Sequence, residues 1–210
     1  MHNTTKAEQE RMQTHALYLY EEELSPGICI GLDEVGRGPL AGPLVVGAVV
    51  LDRSDEIVGI NDSKKLSPNK RERLYREIKE RACATATAWV APHVIDEQGI
   101  TYALKHAFYE AAEATGMLDV ARTVIIDGTP LHLFENELSV VKGDSRLASI
   151  AAASIVAKVE RDAYMIKAAK RYPAYGFEQH KGYGTKAHRE AIRTFGLTPL
   201  HRSTFCTKFL

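Results

Sequence analysis

The sequence has no net charge to steer it: 27 basic and 27 acidic residues balance over 210. Any site for a polyanion must therefore be a local patch rather than a bulk field. Long apolar runs are also missing. The longest, residues 39–51, is too short to span a bilayer, and the N-terminus has no hydrophobic signal core. Together these predict a cytoplasmic protein with no membrane association. Cysteine is scarce: Cys29, Cys83 and Cys206 are isolated and odd in number, which excludes a disulfide framework and a zinc pattern and fits a reducing compartment. There is no Gly-rich lysine motif of a P-loop NTPase, no internal repeat, no low-complexity segment and no linker long enough to mark a second large domain. What is present is 45% apolar content, enough for one core with at most a small appendage.

Local patterns predict the elements. Residues 5–24 form a charged peripheral helix, with Met12, Ala16, Leu19 and Leu24 spaced to pack on the body. Residues 28–35 and 43–51, rich in Val and Ile, read as strands joined by a Gly/Pro turn. Ser67-Pro68 opens a helix to about residue 82, with Ser67 as cap and Pro68 in the first turn. A strand over 84–91 and a helix over 101–114 follow, the latter stopped by Gly116. Short strands over 123–126 and 138–141 precede an Ala-rich helix over 145–170, stopped before Pro173. A Gly-rich, aromatic and basic segment (175–184) leads to a last helix over 186–195, and the tail from 198 has no clear pattern. Strands first, then strands alternating with helices, predict an α/β domain with a mixed sheet.

Three strand ends deliver carboxylates: Asp33-Glu34, Asp127 and Asp144. Sites in open α/β sheets form beyond strand ends. If these ends lie side by side, four acids converge, and clustered carboxylates repel unless they share protons or bind a cation. Hard oxygen ligands suit Mg²⁺ or Mn²⁺, and two such ions can clamp the attacking and leaving oxygens of a phosphodiester. Each acid alone also has a plainer reading: Asp33-Glu34 as a solvated turn, Asp127-Gly128 as an ordinary turn, Asp144 as the cap of the long helix. Adjacent strand residues point to opposite faces, so Asp33 and Glu34 cannot both aim at one ion from a regular strand. Asp162 lies 18 residues after Asp144, roughly 27 Å along a continuous helix. It is assigned a structural role, paired with a nearby Lys or Arg.

Arg37 between Gly36 and Gly38 sits where backbone can approach a ligand closely, and exposed N–H groups there could read a phosphate or a sugar hydroxyl. Lys64 lies in a polar loop with Asp62, Ser63 and Lys65. Residues 180–186 frame Tyr183 with glycines, Lys181 and His180, a combination suited to stacking on a sugar or base while cations hold the backbone. Arg146 falls in the first turn after Asp144, where helix amides favour phosphate. His188 is expected at the surface of the last helix.

Taken together, the segments 31–38 (Gly-Leu-Asp-Glu-Val-Gly-Arg-Gly) and 62–66 (Asp-Ser-Lys-Lys-Leu), Ile126-Asp127-Gly128, Lys142-Gly143-Asp144, the run 151–162 and the segment 180–185 closely resemble the motifs of the type 2 ribonuclease H family, bacterial ribonuclease HII. Six ordered motifs cover about residues 27–205. The resemblance implies an RNase H-like fold, divided into an N-terminal peripheral helix (1–24), a catalytic domain (25–172) and a small C-terminal helical substrate-binding region (173–210). It implies endonucleolytic cleavage of RNA paired with DNA, including nicking 5′ of ribonucleotides embedded in duplex DNA, leaving 3′-hydroxyl and 5′-phosphate ends. It implies Asp33, Glu34, Asp127 and Asp144 as the tetrad for two Mg²⁺ or Mn²⁺ ions. Gly36, Arg37 and Gly38 become the loop sensing the ribose 2′-hydroxyl, Tyr183 its stacking partner, and Lys64 and Lys181 phosphate contacts. A monomer is expected, and Phe205 and Phe209 lack the usual glutamine pattern of a sliding-clamp peptide. A junction resolvase on a similar sheet and a non-catalytic hybrid-binding protein are the alternatives. The first predicts no preference for ribose, and the second would tolerate loss of an acid.

Overall fold

The computed structural model describes residues 4–210. The chain forms five strands: β1 (Cys29–Val35), β2 (Leu44–Val50), β3 (Ala84–Val90), β4 (Thr123–Asp127) and β5 (Glu137–Val140). They make one sheet in the order β3-β2-β1-β4-β5. β1 pairs antiparallel with β2 and parallel with β4, while β2–β3 is antiparallel and β4–β5 parallel. The sheet is thus mixed, with β1 at its centre. Helices α1 (Lys6–Leu24), α2 (Pro68–Arg81), α3 (Pro92–Gln98), α4 (Ile100–Glu113), α5 (Ala148–Arg171), α6 (Phe177–His180), α7 (Lys186–Phe195) and α8 (Ser203–Cys206) flank it. Among the described residues, no helix is long and apolar enough to cross a membrane.

The pleat of β1 sorts its side chains between two cores. Ile30 and Leu32 join Val124, Ile126, Ala107 and Phe108 on the α4 side. The opposite face carries α5, whose Ala151, Ala152 and Ala153 pack with Val49, Leu74 and Ile78. Two strand glycines let α5 lie directly on the sheet. A Cβ at Gly31 would stand 2.3 Å from Ser149 Oγ, and one at Gly47 2.4 Å from the Ala153 carbonyl oxygen. Small residues on both surfaces bring helix and strand backbones together, and this seats the start of α5 against the strand that carries Asp33.

Four expectations are corrected. The long helix begins at Ala148 rather than 145, so Asp144 lies in a separate 3-10 turn (Gly143–Ser145) and its side chain does not cap α5. The expected helix over 101–114 is preceded by a second one, α3, and Gly99 with φ +82° makes the break between them. α1 docks through a polar face. Thr14, Tyr18 and Glu21 are buried, whereas Met12, Leu19 and Leu24 are exposed. The reason is that the body offers unpaired donors there. Thr14 Oγ1 accepts from Gly59 N–H (2.8 Å), Tyr18 Oη from Ile57 N–H (3.1 Å), and Glu21 from Ser149 N–H (2.7 Å). Finally, His188 is fully buried rather than at the surface.

The unreadable tail has a defined course. Residues 200–202 run beside 40–42: Gly42 N–H donates to the Leu200 carbonyl (2.8 Å), Arg202 N–H to that of Leu40 (2.8 Å), and Ala41 and His201 form an isolated bridge. Asp96 of α3 accepts from the backbone N–H groups of Ser203 (2.7 Å) and Thr204 (3.1 Å), capping α8 from another element.

Candidate active site

Leu32 pairs with Ile126 on neighbouring parallel strands, so the residues that follow, Asp33 and Asp127, leave the sheet side by side on the α5 face. Asp144 arrives from the turn that connects β5 to α5. Its neighbour Gly143 donates its N–H to Asp127 Oδ1 at 2.7 Å, which ties the two acidic segments together. The result is a cluster in which oxygens of Asp33, Asp127 and Asp144 all lie within 4.8 Å of one another. Asp33 and Asp144 are buried.

Glu34 points to the other face of the sheet, as the pleat requires. It lines a small cleft with Arg37, Leu104, Phe108, Asp127 and Gly128 and is not one of the three acids that converge. Asp127 borders both groups, so Glu34 is electrically coupled to the cluster from its far side.

Burial dominates the charge state of these acids. It raises the proton affinity of Asp33 well above the ordinary carboxylate range. A hydrogen bond from Ser154 opposes this, and the charges of Glu34, Asp127 and Asp144 add to it. Asp127 is also raised, by burial first, against the Gly143 hydrogen bond. Glu34 is pushed up to about 7 by burial and by the charge of Asp127, with Arg37 acting in the opposite direction. Ser154 is itself held by Ser63 (2.9 Å between hydroxyl oxygens). Among the described residues, Lys64 is the one cation in salt-bridge contact with the three aspartates, Nζ to Asp144 Oδ2 at 3.3 Å. Three converging carboxylates against one exposed ammonium leave an excess of negative charge in a partly dry site, made wholly of hard oxygen donors. That donor set fits a divalent cation such as Mg²⁺ or Mn²⁺.

The glycine-rich turn that follows β1 is held from beneath by two arginines that the sequence reading passed over. Arg161 and Arg202 are both fully buried. Arg161 Nε donates to the Pro43 carbonyl (2.9 Å), Nη1 to that of Lys181 (3.1 Å) and Nη2 to that of Ala41 (3.2 Å). Arg202 Nη2 donates to the carbonyls of Gly36 (2.6 Å) and Gly42 (2.8 Å), and Nη1 to that of Arg37 (2.9 Å). Neither guanidinium makes a salt bridge among the described residues; every nitrogen of both planar forks donates to a backbone carbonyl instead. Gly36 has φ +92°, and a Cβ there would lie 2.4 Å from Arg161 Nε and 2.6 Å from the Pro43 carbonyl oxygen. Gly38, by contrast, has open space around it, and Arg37 is exposed. The base of the turn is therefore locked and its tip is free to meet a ligand. Arg161 lies within a quoted motif and carried a signal; Arg202, in the patternless tail, carried none.

The segment bearing Tyr183 docks on the same turn. Leu40 and Ala41 N–H groups donate to the Gly182 carbonyl (2.9 and 3.3 Å), and the Arg161 guanidinium lies 6.0 Å from the Tyr183 ring. The ring itself is 42% exposed. Lys181, with φ +53°, turns its ammonium to the Glu178 carbonyl. Arg146 faces α1, its guanidinium 5.0 Å from the Tyr20 ring and bonded to that phenol. Asp162 pairs with Lys158 at 2.8 Å one turn earlier on the continuous α5, as its structural assignment anticipates.

Comparisons with known proteins point one way. Residues 30–208 match the family model described as Ribonuclease HII. Ribonuclease HII of Bacillus cytotoxicus is 47% identical over 203 residues, which cover 95% of this chain and 78% of that protein. Among solved structures, ribonuclease H2 of Pyrococcus horikoshii superposes with a TM-score of 0.71 at 26% identity, over 87% of this chain and 97% of that one. The RNase HII of Archaeoglobus fulgidus, solved as a complex with PCNA, gives 0.70 at 26% identity over 84% and 94%.

Proposed function

The chain belongs to the ribonuclease HII family, and on that premise we propose that it nicks the RNA strand of RNA/DNA hybrids and the 5′ side of ribonucleotides embedded in duplex DNA. The products are 3′-hydroxyl and 5′-phosphate ends. The observation that carries this reading is the meeting of Asp33, Asp127 and Asp144 within 4.8 Å at the end of the strand that runs straight into the Gly36-Arg37-Gly38 turn.

Asp33, Asp127 and Asp144 would hold the divalent cation, with Glu34 joining from the opposite face for a second. When bound, these ions supply the Lewis acidity that activates water and neutralises the leaving oxygen. The protein's own groups do the rest. The exposed tip of the 36–38 turn, at Arg37 and Gly38, meets the ribose 2′-hydroxyl, the group that separates RNA from DNA at one residue. Arg202 and Arg161 keep the base of that turn from moving. Tyr183 stacks on the substrate sugar or base. Lys64, beside Asp144, and Arg37, beside Glu34, lie where a scissile phosphate would need positive charge, and Lys181 contacts the backbone further along. Arg146 requires a rotation away from Tyr20 to reach a phosphate, which makes it the weakest of these contacts. Residues 173–210 form the substrate-binding region and 25–172 the catalytic body. The PCNA complex is a property of the Archaeoglobus protein; Phe205 here is half-buried against the core, and the clamp contact is not part of the proposal for this chain.

The test is cleavage of a DNA duplex carrying one embedded ribonucleotide, beside an all-DNA duplex, with Mg²⁺ or Mn²⁺. A single nick 5′ of the ribonucleotide, abolished by EDTA and absent from all-DNA, is the expected result. Equal cutting of both duplexes would instead establish a DNA nuclease.

A further inference from the structure

Three histidines lie beneath Tyr183, and none of the chemistry above uses them. His188 and His201 are buried, and their Nε2 atoms are 3.1 Å apart. His180 stacks on His188 with ring centroids 4.4 Å apart and 15° between planes. Their partners fix where each proton must be. Thr198 N–H donates to His201 Nδ1 (2.9 Å), so a neutral His201 carries its proton on Nε2. That proton points at His188 Nε2, which must then accept. His188 Nδ1 faces the Tyr183 carbonyl oxygen at 2.9 Å, which can only accept, so Nδ1 carries the proton. His180 follows the same logic: Gly182 N–H donates to Nδ1 (3.2 Å) and Nε2 donates to the Tyr175 carbonyl (2.7 Å). Every ring nitrogen has a role, and the roles agree only if all three rings are uncharged.

A proton added to His188 or His201 would set two N–H groups against each other across the 3.1 Å contact, or turn one against Thr198 N–H. The rings packed against the pair are those of His180, Tyr175 and Phe177; among the described residues, no carboxylate bonds either His188 or His201. In keeping with this, burial first, and then the neighbouring histidines, bring His188 and His201 down to about 4, against the opposing hydrogen bonds of His188 to the Tyr183 carbonyl and of His201 to Thr198.

We propose that His188 is a positioning residue for substrate selection, holding the backbone of Tyr183 through an uncharged relay that runs Thr198–His201–His188–Tyr183. The proposal rests on the reading of Tyr183 given above. The Tyr183 N–H donates to the His180 carbonyl (2.9 Å), and its carbonyl accepts from both Thr185 N–H (2.8 Å) and His188 Nδ1 (2.9 Å), so His188 adds the side-chain half of a backbone pinned from both sides. A ring fixed before binding need not be ordered on binding, which favours the matched substrate. The relay also explains why α7 places an imidazole, and not an aliphatic residue, at a fully buried position.

Two measurements decide it. Ring ¹⁵N NMR of the wild-type protein at pH 7 should give the Nδ1–H tautomer for His188 and Nε2–H for His201 and His180. An imidazolium or a reversed tautomer at His188 or His201 overturns the relay. In kinetics on the single-ribonucleotide duplex, His188→Phe keeps the ring but removes the donor. It should raise KM about fivefold, the worth of about one hydrogen bond, with kcat little changed. His188→Asn, whose amide can still reach the Tyr183 carbonyl, should restore most of the loss. In a Tyr183→Ala background, His188→Phe should have no further effect. A loss of undiminished size in that background overturns the proposal alone, whereas Tyr183→Ala with unchanged selectivity overturns the reading of Tyr183 and the proposal with it. If His188→Phe does not fold, the tautomers and the His188→Asn kinetics carry the decision.

Discussion

Replacing Glu34 by Gln should stabilise the metal-free protein at pH 8 and do so by only about a quarter as much at pH 5. Folding raises the proton affinity of this acid from its ordinary value of 4.5 to about 7. Between those limits the folded protein holds more protons than the unfolded chain, so stability falls as pH rises through the window. A rise of that size corresponds to about 3 kcal/mol against the ionised folded state. Glu34 is only partly buried, and screening by water and salt lowers the realised value to about 2 kcal/mol. For a chain of this length that is a gain of about 4–8 °C in Tm at pH 8. The assay is thermal unfolding of wild type and Glu34→Gln in EDTA at both pH values. Saturating Mg²⁺ should narrow the gap at pH 8, because a bound cation neutralises the same charge that Gln removes. An equal Tm difference at pH 5 and pH 8 would refute the reasoning, and would mean that Arg37 or water already compensates Glu34.

Asp144→Asn should keep the fold and nucleic-acid binding while losing cleavage; retained turnover would remove Asp144 from the reacting site. Gly36→Ala forces a side chain into a left-handed backbone conformation and into Arg161 and the Pro43 carbonyl. It should cost about 2 kcal/mol or more in denaturant unfolding, whereas Gly38→Ala, with open space around it, should cost little stability and show any effect in ribonucleotide selectivity. Glu21→Ala should destabilise by about 1–3 kcal/mol, because it leaves the Ser149 N–H and hydroxyl (2.7 and 2.6 Å) unpaired at the start of α5. A change below about 0.5 kcal/mol would show that α1 does not brace the helix that follows Asp144.

The elements that a local signal could announce were legible. Ser67-Pro68 opens α2, whose cap Ser67 accepts from Lys70 N–H. α7 has the expected bounds, Lys186–Phe195, although it is not the last helix, since α8 follows in the tail. The Val/Ile runs are the central strands, and Asp33, Glu34 and Asp127 could be placed at the ends of their strands from sequence alone; Asp144, expected at a strand end as well, lies in the 3-10 turn beyond β5. α1 was located correctly but assigned the wrong face. Apolar periodicity selects a face by hydrophobicity, whereas this helix is held by hydrogen bonds to Gly59, Ile57 and Ser149, 39 to 128 residues away in the chain. His188 was misplaced for a related reason. On a short helix of mostly exposed residues, an imidazole reads as polar until a second imidazole 13 residues later is folded against it.

What the sequence determined by itself is the inventory and its order: which strands end in acids, where the chain turns on glycine, and the family to which those motifs belong. Tertiary structure decided the assembly. Parallel pairing of β1 with β4 put Asp33 beside Asp127, and the 3-10 turn before α5 brought Asp144 to them, while the pleat sent Glu34 to the opposite face. Arg202, in a tail with no pattern, reaches the carbonyls of Gly36 and Arg37, more than 160 residues earlier in the chain. Local preferences act over a few residues. A buried guanidinium or imidazole finds its role only where distant backbone groups would otherwise lack a partner.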